Sequence, residues 1–340
     1  MTTQTLKGLS ITQTSWYRFL SRLFSKKNKT DQLANMIKAI VIPLVAMSIF
    51  LGLWSFGAGQ IKTSLGLVPG PVQVWEQAMQ LVDEHKEERN KAQKFYERQE
   101  KRNAIKLAKN PDAKVKIRPY TATPTYFDQI MTSIWTVLTG FVIASLIAIP
   151  VGIIAGLSPV IYAALNPLIQ IFKPVSPLAW LPIVTIIVSA VYISDEPMFD
   201  KSYLTSAITV TLCCLWPTII NTTVGVTTID KDLINVSRVL RLGWFTKVFK
   251  IVIPSSIPMM FAGLRVSLGI GWMVLIAAEM LAQNPGLGKF VWDEFQNGSS
   301  NSLARIMVAV FTIGLIGFML DRLMLILQKL LSWDKNAIIR

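Results

Sequence analysis

The stretch Asp230–Pro258, DKDLINVSRVLRLGWFTKVFKIVIPSSIP, decides how the rest of the chain is read. It separates two apolar segments, each long enough to span a bilayer. Within it Leu233, Val236, Leu240 and Phe245 alternate with Arg238, Arg241, Lys247 and Lys250 at roughly helical spacing. Gly243 interrupts the pattern and Pro254 ends it, so helix, turn and helix are expected. A basic, apolar-striped loop with a turn, set between two spans, is placed to receive a partner at the cytoplasmic face. The same pattern suits a helix lying on anionic lipid.

Composition agrees with a membrane setting. Of 340 residues, 52% are hydrophobic and only 16% charged, against roughly 25% charged in a soluble domain. The apolar runs have helical length, about 20 residues, and lack the alternation of a barrel strand. The fold class expected is therefore all-α and integral to the membrane. The net charge of +14 does not point to nucleic acid, because much of it flanks apolar spans. Cys213 and Cys214 are adjacent and have no companions elsewhere, so no disulfide framework is implied. One histidine, His85, in a charged stretch, offers no metal site.

Six spans are expected. Residues 1–33 form a basic segment that favours a cytoplasmic N-terminus, and the first span falls within 34–57, over about Met36–Phe56. Residues 58–126 form an extracytoplasmic insertion: a turn at Pro69-Gly70-Pro71, a short amphipathic helix Val72–Val82, then a charged, solvated helix to Asn110. Its i,i+4 pairs are Glu87/Lys91 and Glu97/Lys101. This connection carries 13 Lys and Arg, but the positive-inside rule has little grip on loops longer than about 60 residues. A solvated helical insertion and a docking surface for a delivery protein both remain open for it.

The core, residues 127–331, holds the other spans: Met131–Leu157, Ile161–Ile193, Leu204–Val226, Met259–Leu281 and Leu303–Leu327. Gly152 and Gly156 have the small-residue spacing that permits close helix contact. The third span is too long for one straight crossing, and Pro167, Pro174, Pro177 and Pro182 break it. Short loops assigned outside are acidic (Asp195, Glu196, Asp200, Asp293, Glu294), and Arg322, Lys329, Lys335 and Arg340 keep the tail 332–340 inside. Gly286-Leu287-Gly288-Lys289 lacks the spacing and the Ser or Thr of a phosphate-binding loop and is taken as a turn in an external loop. No catalytic constellation is visible.

Polar groups inside spans are costly and point to function. Lys173, followed by Pro174-Val175-Ser176-Pro177-Leu178-Ala179-Trp180-Leu181-Pro182, puts a cation beside a broken helix, which suits an anion. A snorkelling lysine at the interface is the bland alternative. Ser176, Trp180, Asn221, Thr222, Arg265 and Glu279 complete the candidate pathway residues. Asn221 and Thr222 also suit interhelical packing, Arg265 suits snorkelling, and Glu279 suits a gate or a helix-pairing role, since a carboxylate repels an anion.

The residues of the opening stretch resemble the EAA loop of ABC-importer permeases. Ile251-Val252-Ile253-Pro254 matches the closing Ile-x-x-Pro; Asn235, Val236 and Ser237 stand where the family has Glu-Ala-Ala; Arg241 stands where it has a glycine, with Gly243 two residues later. The resemblance covers about Ala34–Leu331 and is closest to the nitrate, bicarbonate, sulfonate and taurine branch. The Ser-Pro-Leu-Ala-Trp-Leu-Pro run, residues 176–182, resembles the nitrate and bicarbonate permeases most. It implies a type I importer permease in the bacterial cytoplasmic membrane, with both termini cytoplasmic. Two copies would form the pathway, two separate ATPase subunits carrying ATP and Mg would grip loop 230–258, and an extracytoplasmic binding protein would deliver the anion. The chain itself would bind no cofactor, contact membrane lipid but no nucleic acid, and catalyse nothing. Nitrate is expected first, with bicarbonate, cyanate, sulfonate or taurine as alternatives. A self-sufficient secondary carrier or channel is the reading from another class, but no second half resembles Ile161–Pro182, as an internal repeat would require. The relatives it resembles lack so long an insertion after the first span, so the resemblance gives that segment no role.

Overall fold

The computed structural model describes residues 40–63, 66–110, 115, 117–193 and 198–331. The basic segment 1–33, the start of the first span, Asp195, Glu196 and the tail 332–340 lie outside the described residues. The chain divides at Gln73 into two units. Unit one carries α1 (Ile42–Ala58), 17 residues or about 26 Å at 1.5 Å per residue. A two-stranded hairpin follows, β1 (Lys62–Thr63) and β2 (Gly66–Leu67), paired antiparallel. Leu44, Phe50, Leu53 and Phe56 of α1 are exposed, as expected of a helix whose solvent is lipid.

Unit two begins within α2 (Pro71–Lys109). The two helices expected here, Val72–Val82 and a charged successor, are one continuous helix of 39 residues, because no Gly or Pro interrupts the chain between them. Lys91 pairs with Glu88 at 3.2 Å rather than with Glu87. Glu88 also accepts from the Tyr120 hydroxyl at 2.8 Å, and these two partners, the tyrosine first, hold its carboxyl below the ordinary range. After α2 come α3 (Tyr126–Leu157), α4 (Pro159–Phe172), α5 (Pro177–Val191), α6 (Lys201–Thr227), α7 (Lys231–Val239), α8 (Trp244–Lys247), a π-helical turn Val248–Val252, α9 (Ile253–Ala282), α10 (Leu287–Asn297) and α11 (Ser302–Leu331). Helix α10 lies where only a turn was expected. Its apolar face (Leu287, Phe290) is short, and sequence alone gave it no span-length signal.

Helices α3, α6 and α9 form the core, and their backbones nearly touch. A methyl on Gly152 would lie 2.6 Å from Thr222 Cβ, and one on Gly156 2.5 Å from Val226 Cβ. Thr211 Oγ1 donates to the Gly140 carbonyl at 3.1 Å and Thr223 Oγ1 to the Gly152 carbonyl at 3.2 Å, both pairs 71 residues apart. A constant offset means that α3 and α6 run parallel. Against α9 the order reverses: Gly225 meets Met259, Gly263 meets Asn221, and Gly271 meets Cys214. The Ser267 hydroxyl donates to the Cys214 carbonyl at 2.8 Å. Helix α11 is antiparallel to α9, tied by Trp272 Nε1 to the Ile313 carbonyl at 3.0 Å and by Arg265 to Asp321.

This order settles how the broken span is used. Helices α4 and α5 are apolar but meet at a bend of 99°. Two parallel spanning helices need a return crossing between them, and only α4 and α5 occupy that interval. Together they make one crossing. With α3, α6, the continuous Trp244–Ala282 rod and α11, up to five elements among the described residues are long and apolar enough to cross a membrane. Helix α1, at 17 residues, is apolar but shorter, where the sequence led one to expect a sixth span. The ends of α3, α6 and α11 and the start of α9 share the face that carries residues 230–258. The starts of α3, α6 and α11 and the end of α9 share the opposite face.

Replacing Gly152 by Val should wedge α3 from α6, costing about 1–3 kcal/mol as overpacking does. The expected outcome is a lower melting temperature in detergent, with Gly52→Val, where a methyl meets nothing, as the silent control.

Candidate functional site

The segment between α6 and α9 is built as a rigid foot. The Asp230 carboxylate accepts from the Asp232 amide at 2.9 Å and caps α7. Ile234 turns inward onto a cluster of Ile153, Val226, Ile229, Val248 and Val252, so the ends of α3 and α6 hold both α7 and the π-helical turn. Ser237 is buried, and its hydroxyl donates to the Ile234 carbonyl at 2.6 Å. The helix then ends in a Schellman motif: the Leu242 amide donates to the Ser237 carbonyl and the Arg241 amide to the Arg238 carbonyl, each at 3.0 Å.

That motif needs a left-handed residue just past the helix end, usually glycine. Here Arg241 takes it, with φ +47°. Gly243, which the pattern marked as the turn, has φ −62° and ψ 157°, a conformation open to any residue. The arginine at the position of the expected glycine therefore adopts the glycine's conformation, at a cost of roughly 1–2 kcal/mol.

The apolar positions expected to form one stripe face outward. Leu233, Val236, Leu240 and Phe245 are exposed, together with Val239 (81%), Trp244 and Phe249; Phe245 is 71% exposed. Asn235, Arg238, Arg241 and Lys250 are also exposed or half-exposed at the rim, and Lys247 and the closing Ile251 and Pro254 are half-buried. Trp244 and Phe245 meet edge-on at 4.9 Å. The result is a short, rigid knob with an apolar tip and a cationic rim. An apolar patch held in place on a polar end of a membrane protein marks a protein contact.

The candidate pathway residues fall into separate settings. Lys173 and Ser176 lie in the break between α4 and α5, exposed, with the Ser176 hydroxyl capping α5 at the Leu178 amide. Trp180 packs on Phe172, and Phe172 stacks on Trp216 with ring centroids 5.8 Å apart and planes 11° apart. Trp216 Nε1 is buried and finds no hydrogen-bond partner among the described residues.

Asn221 and Thr222 sit elsewhere, between helices. Asn221 abuts Gly263 and donates to the Pro217 carbonyl at 2.8 Å, and Thr222 is sealed against Gly152. Arg265 does not seek backbone carbonyls; it forms a forked pair with Asp321, one arm at 3.0 Å. Sequence reasoning missed Asp321 because its partner lies 56 residues away. Glu279 is 0% exposed. The Ser133 hydroxyl lies 2.8 Å from both its oxygens, and the Gly288 amide donates to it at 3.0 Å. It ties α3, α9 and α10 together and faces no open path. A methyl on Gly286 would lie 2.1 Å from its Oε1, which accounts for the glycines of the Gly286–Lys289 segment.

Comparison with known proteins agrees with this architecture. Residues 148–333 match the family described as binding-protein-dependent transport system inner membrane component. The nitrate import permease protein NrtB of Synechococcus elongatus is 36% identical, over 63% of this chain and 76% of the relative. The bicarbonate transport system permease protein CmpB of Synechocystis sp. is 39% identical, over 61% of this chain and 69% of the relative. Among solved structures, an inward-facing MetNI methionine ABC transporter chain matches with a TM-score of 0.53 at 11% identity, over 61% of this chain and 96% of that one; it shares the fold.

Replacing Arg241 by Gly should release the left-handed strain. A gain of about 1 kcal/mol corresponds to roughly 2–4 °C in melting temperature, whereas Arg241→Val should lower it, because a β-branched residue tolerates that region least. Thermal unfolding of the two variants beside the parent checks the order.

Proposed function

The chain belongs to the binding-protein-dependent transport system inner membrane components, and from that premise we propose that it is the permease subunit of an ATP-driven importer for a small inorganic anion, nitrate first. The observation that carries this reading is the outward knob at Leu233–Phe249. Buried apolar residues anchor it from behind, and in front it offers Val239, Leu240, Trp244 and Phe245 inside a ring of Arg238, Arg241 and Lys250. Such a surface suits a groove on a separate ATPase subunit. In this reading the 230–258 face is cytoplasmic, six crossings put both termini there, and two copies of the chain receive two ATPase subunits that hold ATP and Mg. ATP binding then shifts the pair between inward- and outward-facing states, provided the ATPases contact the knob differently in each.

The anion reading draws on the relatives named for nitrate and bicarbonate and on the chemistry of the α4–α5 break. There Lys173 is an unburied cation, the α5 N-terminus brings amide dipoles, and the Trp216 N–H is an unused donor. Arg265 and Glu279 are already matched by protein groups, so neither offers free charge. Bicarbonate is the second substrate, favoured by the 39% identity to CmpB. A self-sufficient carrier is disfavoured: among the described residues α4–α5 is the single bent pair, where a repeat-built carrier needs two.

Two experiments test the reading. Arg241→Asp combined with Phe245→Asp should abolish co-purification of the ATPase while the permease remains folded in detergent; retention of the ATPase would place the contact elsewhere. In proteoliposomes holding the whole complex, nitrate uptake should require ATP, and Lys173→Ala should raise the half-saturating nitrate concentration of the reconstituted transporter roughly tenfold, the equivalent of about 1.4 kcal/mol. Uptake by this chain alone would overturn the proposal.

A further inference from the structure

Among the described residues, the polar ties of the long helix α2 to the core fall at Glu84–Arg89, and none lies beyond Ala92. Arg305, in the first turn of α11, pairs with Glu84 and, at 3.1 Å, with Glu294. Arg89 pairs with Asp128 at the start of α3, and His85 Nδ1 lies 2.7 Å from Thr125 Oγ1. All these anchors lie on the face opposite the 230–258 knob. Beyond Ala92 the helix runs on for 17 residues, about 26 Å, and among the described residues its hydrogen bonds to other segments run to the returning chain on one side. The Tyr120 amide donates to Tyr96 Oη at 3.1 Å, and the Arg118 amide to Gln99 Oε1 at 3.2 Å.

The opposite side of this arm is uniform in charge. At 100° per residue, Lys94, Arg98, Lys101, Arg102 and Lys109 fall within about 100° of arc, and Tyr96 and Gln99 face away from them. All five cations are exposed, and Ile105, 58% exposed, stands among them. Glu100 lies off this face, and Glu97 flanks its edge beside Lys101 but accepts from Gln93 at 3.0 Å and forms no ion pair with the five. None of the five cations has an ion-pair partner among the described residues, whereas the cations near the anchor are matched: Lys86 to Asp83, Arg89 to Asp128, Lys91 to Glu88. One isoleucine among five cations is far from the wide apolar stripe by which a helix settles into a lipid surface. Five aligned like charges also repel one another, and an acidic partner relieves that repulsion.

We propose that the Lys94–Lys109 face of α2 is a docking arm for an acidic surface on the extracytoplasmic binding protein on which this family's transport depends. The inference rests on the importer reading above, which puts the arm and the binding protein on the same side of the membrane. The insertion then serves for electrostatic capture of the loaded binding protein at a distance from the mouth of the pathway, with Glu84–Arg305 and Arg89–Asp128 fixing the arm's direction. Complementary charge of this kind acts mainly on the rate of encounter and is weakened by salt.

The test uses the complete complex of permease and ATPase in nanodiscs, titrated with the system's own binding protein loaded with nitrate, and reads stimulated ATP hydrolysis. Lys94→Glu, Arg98→Glu, Lys101→Glu and Arg102→Glu together should raise the half-maximal binding-protein concentration roughly tenfold or more, flatten its dependence on salt, and leave unstimulated hydrolysis unchanged. Arg98→Lys with Arg102→Lys, which keeps the charge, should match the parent. A half-maximal concentration within about twofold of the parent overturns the docking arm and leaves the importer reading standing. So does a quadruple variant whose only defect is weaker binding to anionic-lipid vesicles. Failure of the parent complex to respond to the binding protein at all overturns the importer reading itself.

Discussion

In a bilayer, apolar side chains gain nothing by leaving lipid for one another, so helices must associate by backbone proximity and buried hydrogen bonds. The contact of α3 with α6 meets that condition at Gly140, Gly152 and Gly156, where any side chain would collide with the neighbouring helix, and through the Thr211 and Thr223 hydroxyls that bond to the facing carbonyls. Because these contacts keep a constant offset, the two helices are parallel, and the topology follows. One return crossing must lie between them. The proline-broken α4–α5 pair has to provide it, and α9 and α11 are then forced into alternating directions.

The same packing makes the knob stiff. Ile153 from α3 and Val226 from α6 meet Val248 and Val252 of the π-helical turn, and Ile234 of α7 packs on the same cluster, so the knob is seated directly on the two central helices. A flexible loop could bind a partner but could not transmit its movement. The Schellman turn completes this stiffness by satisfying the last carbonyls of α7 and by aiming Trp244 and Phe245 outward. An arginine in the left-handed region is a conformational cost accepted there; its exposed guanidinium sits on the rim of the patch, where a cation can meet a partner's acid.

Much of this was legible in the sequence, and the failures have physical reasons. The spans, the helix–turn–helix between α6 and α9 and the break at the prolines of 167–182 follow from apolar length and from residues that cannot continue a helix. The outward stripe of Leu233, Val236 and Leu240 is the one expected to meet a partner; what the pattern did not give is the inward pair, Ile234 and Ser237, that seats the knob. Periodicity marks the stripe but not the residues that anchor the helix from behind. Long-range polar ties were equally hidden. Nothing local joins Glu279 to Ser133, 146 residues away, or Glu84 to Arg305. Arg241 is an instructive middle case, since the expected glycine position was found by counting from Pro254 and the backbone there keeps the glycine conformation despite the substitution.

The buried polar groups also narrow where an anion could be held. A charge inside the bilayer is tolerable when another group offsets it. Arg265 is offset by Asp321, and Glu279 by Ser133, the Gly288 amide and its neighbours. Asn221 packs against Gly263 and bonds the Pro217 carbonyl, and Thr222 is sealed against Gly152 with its hydroxyl unpartnered among the described residues. At the bend of α4–α5 the balance differs: the cation of Lys173 has no acidic partner among the described residues, and the Trp216 N–H has no acceptor. Unspent donors without an offsetting acid suit an anion better than a cation. Lys173 also lies at the one bent pair of apolar helices among the described residues. The break does not weaken the fold, because α3, α6 and α9 carry the closest packing and Ile169 of α4 still packs on Ala148 of α3 and Ile219 of α6.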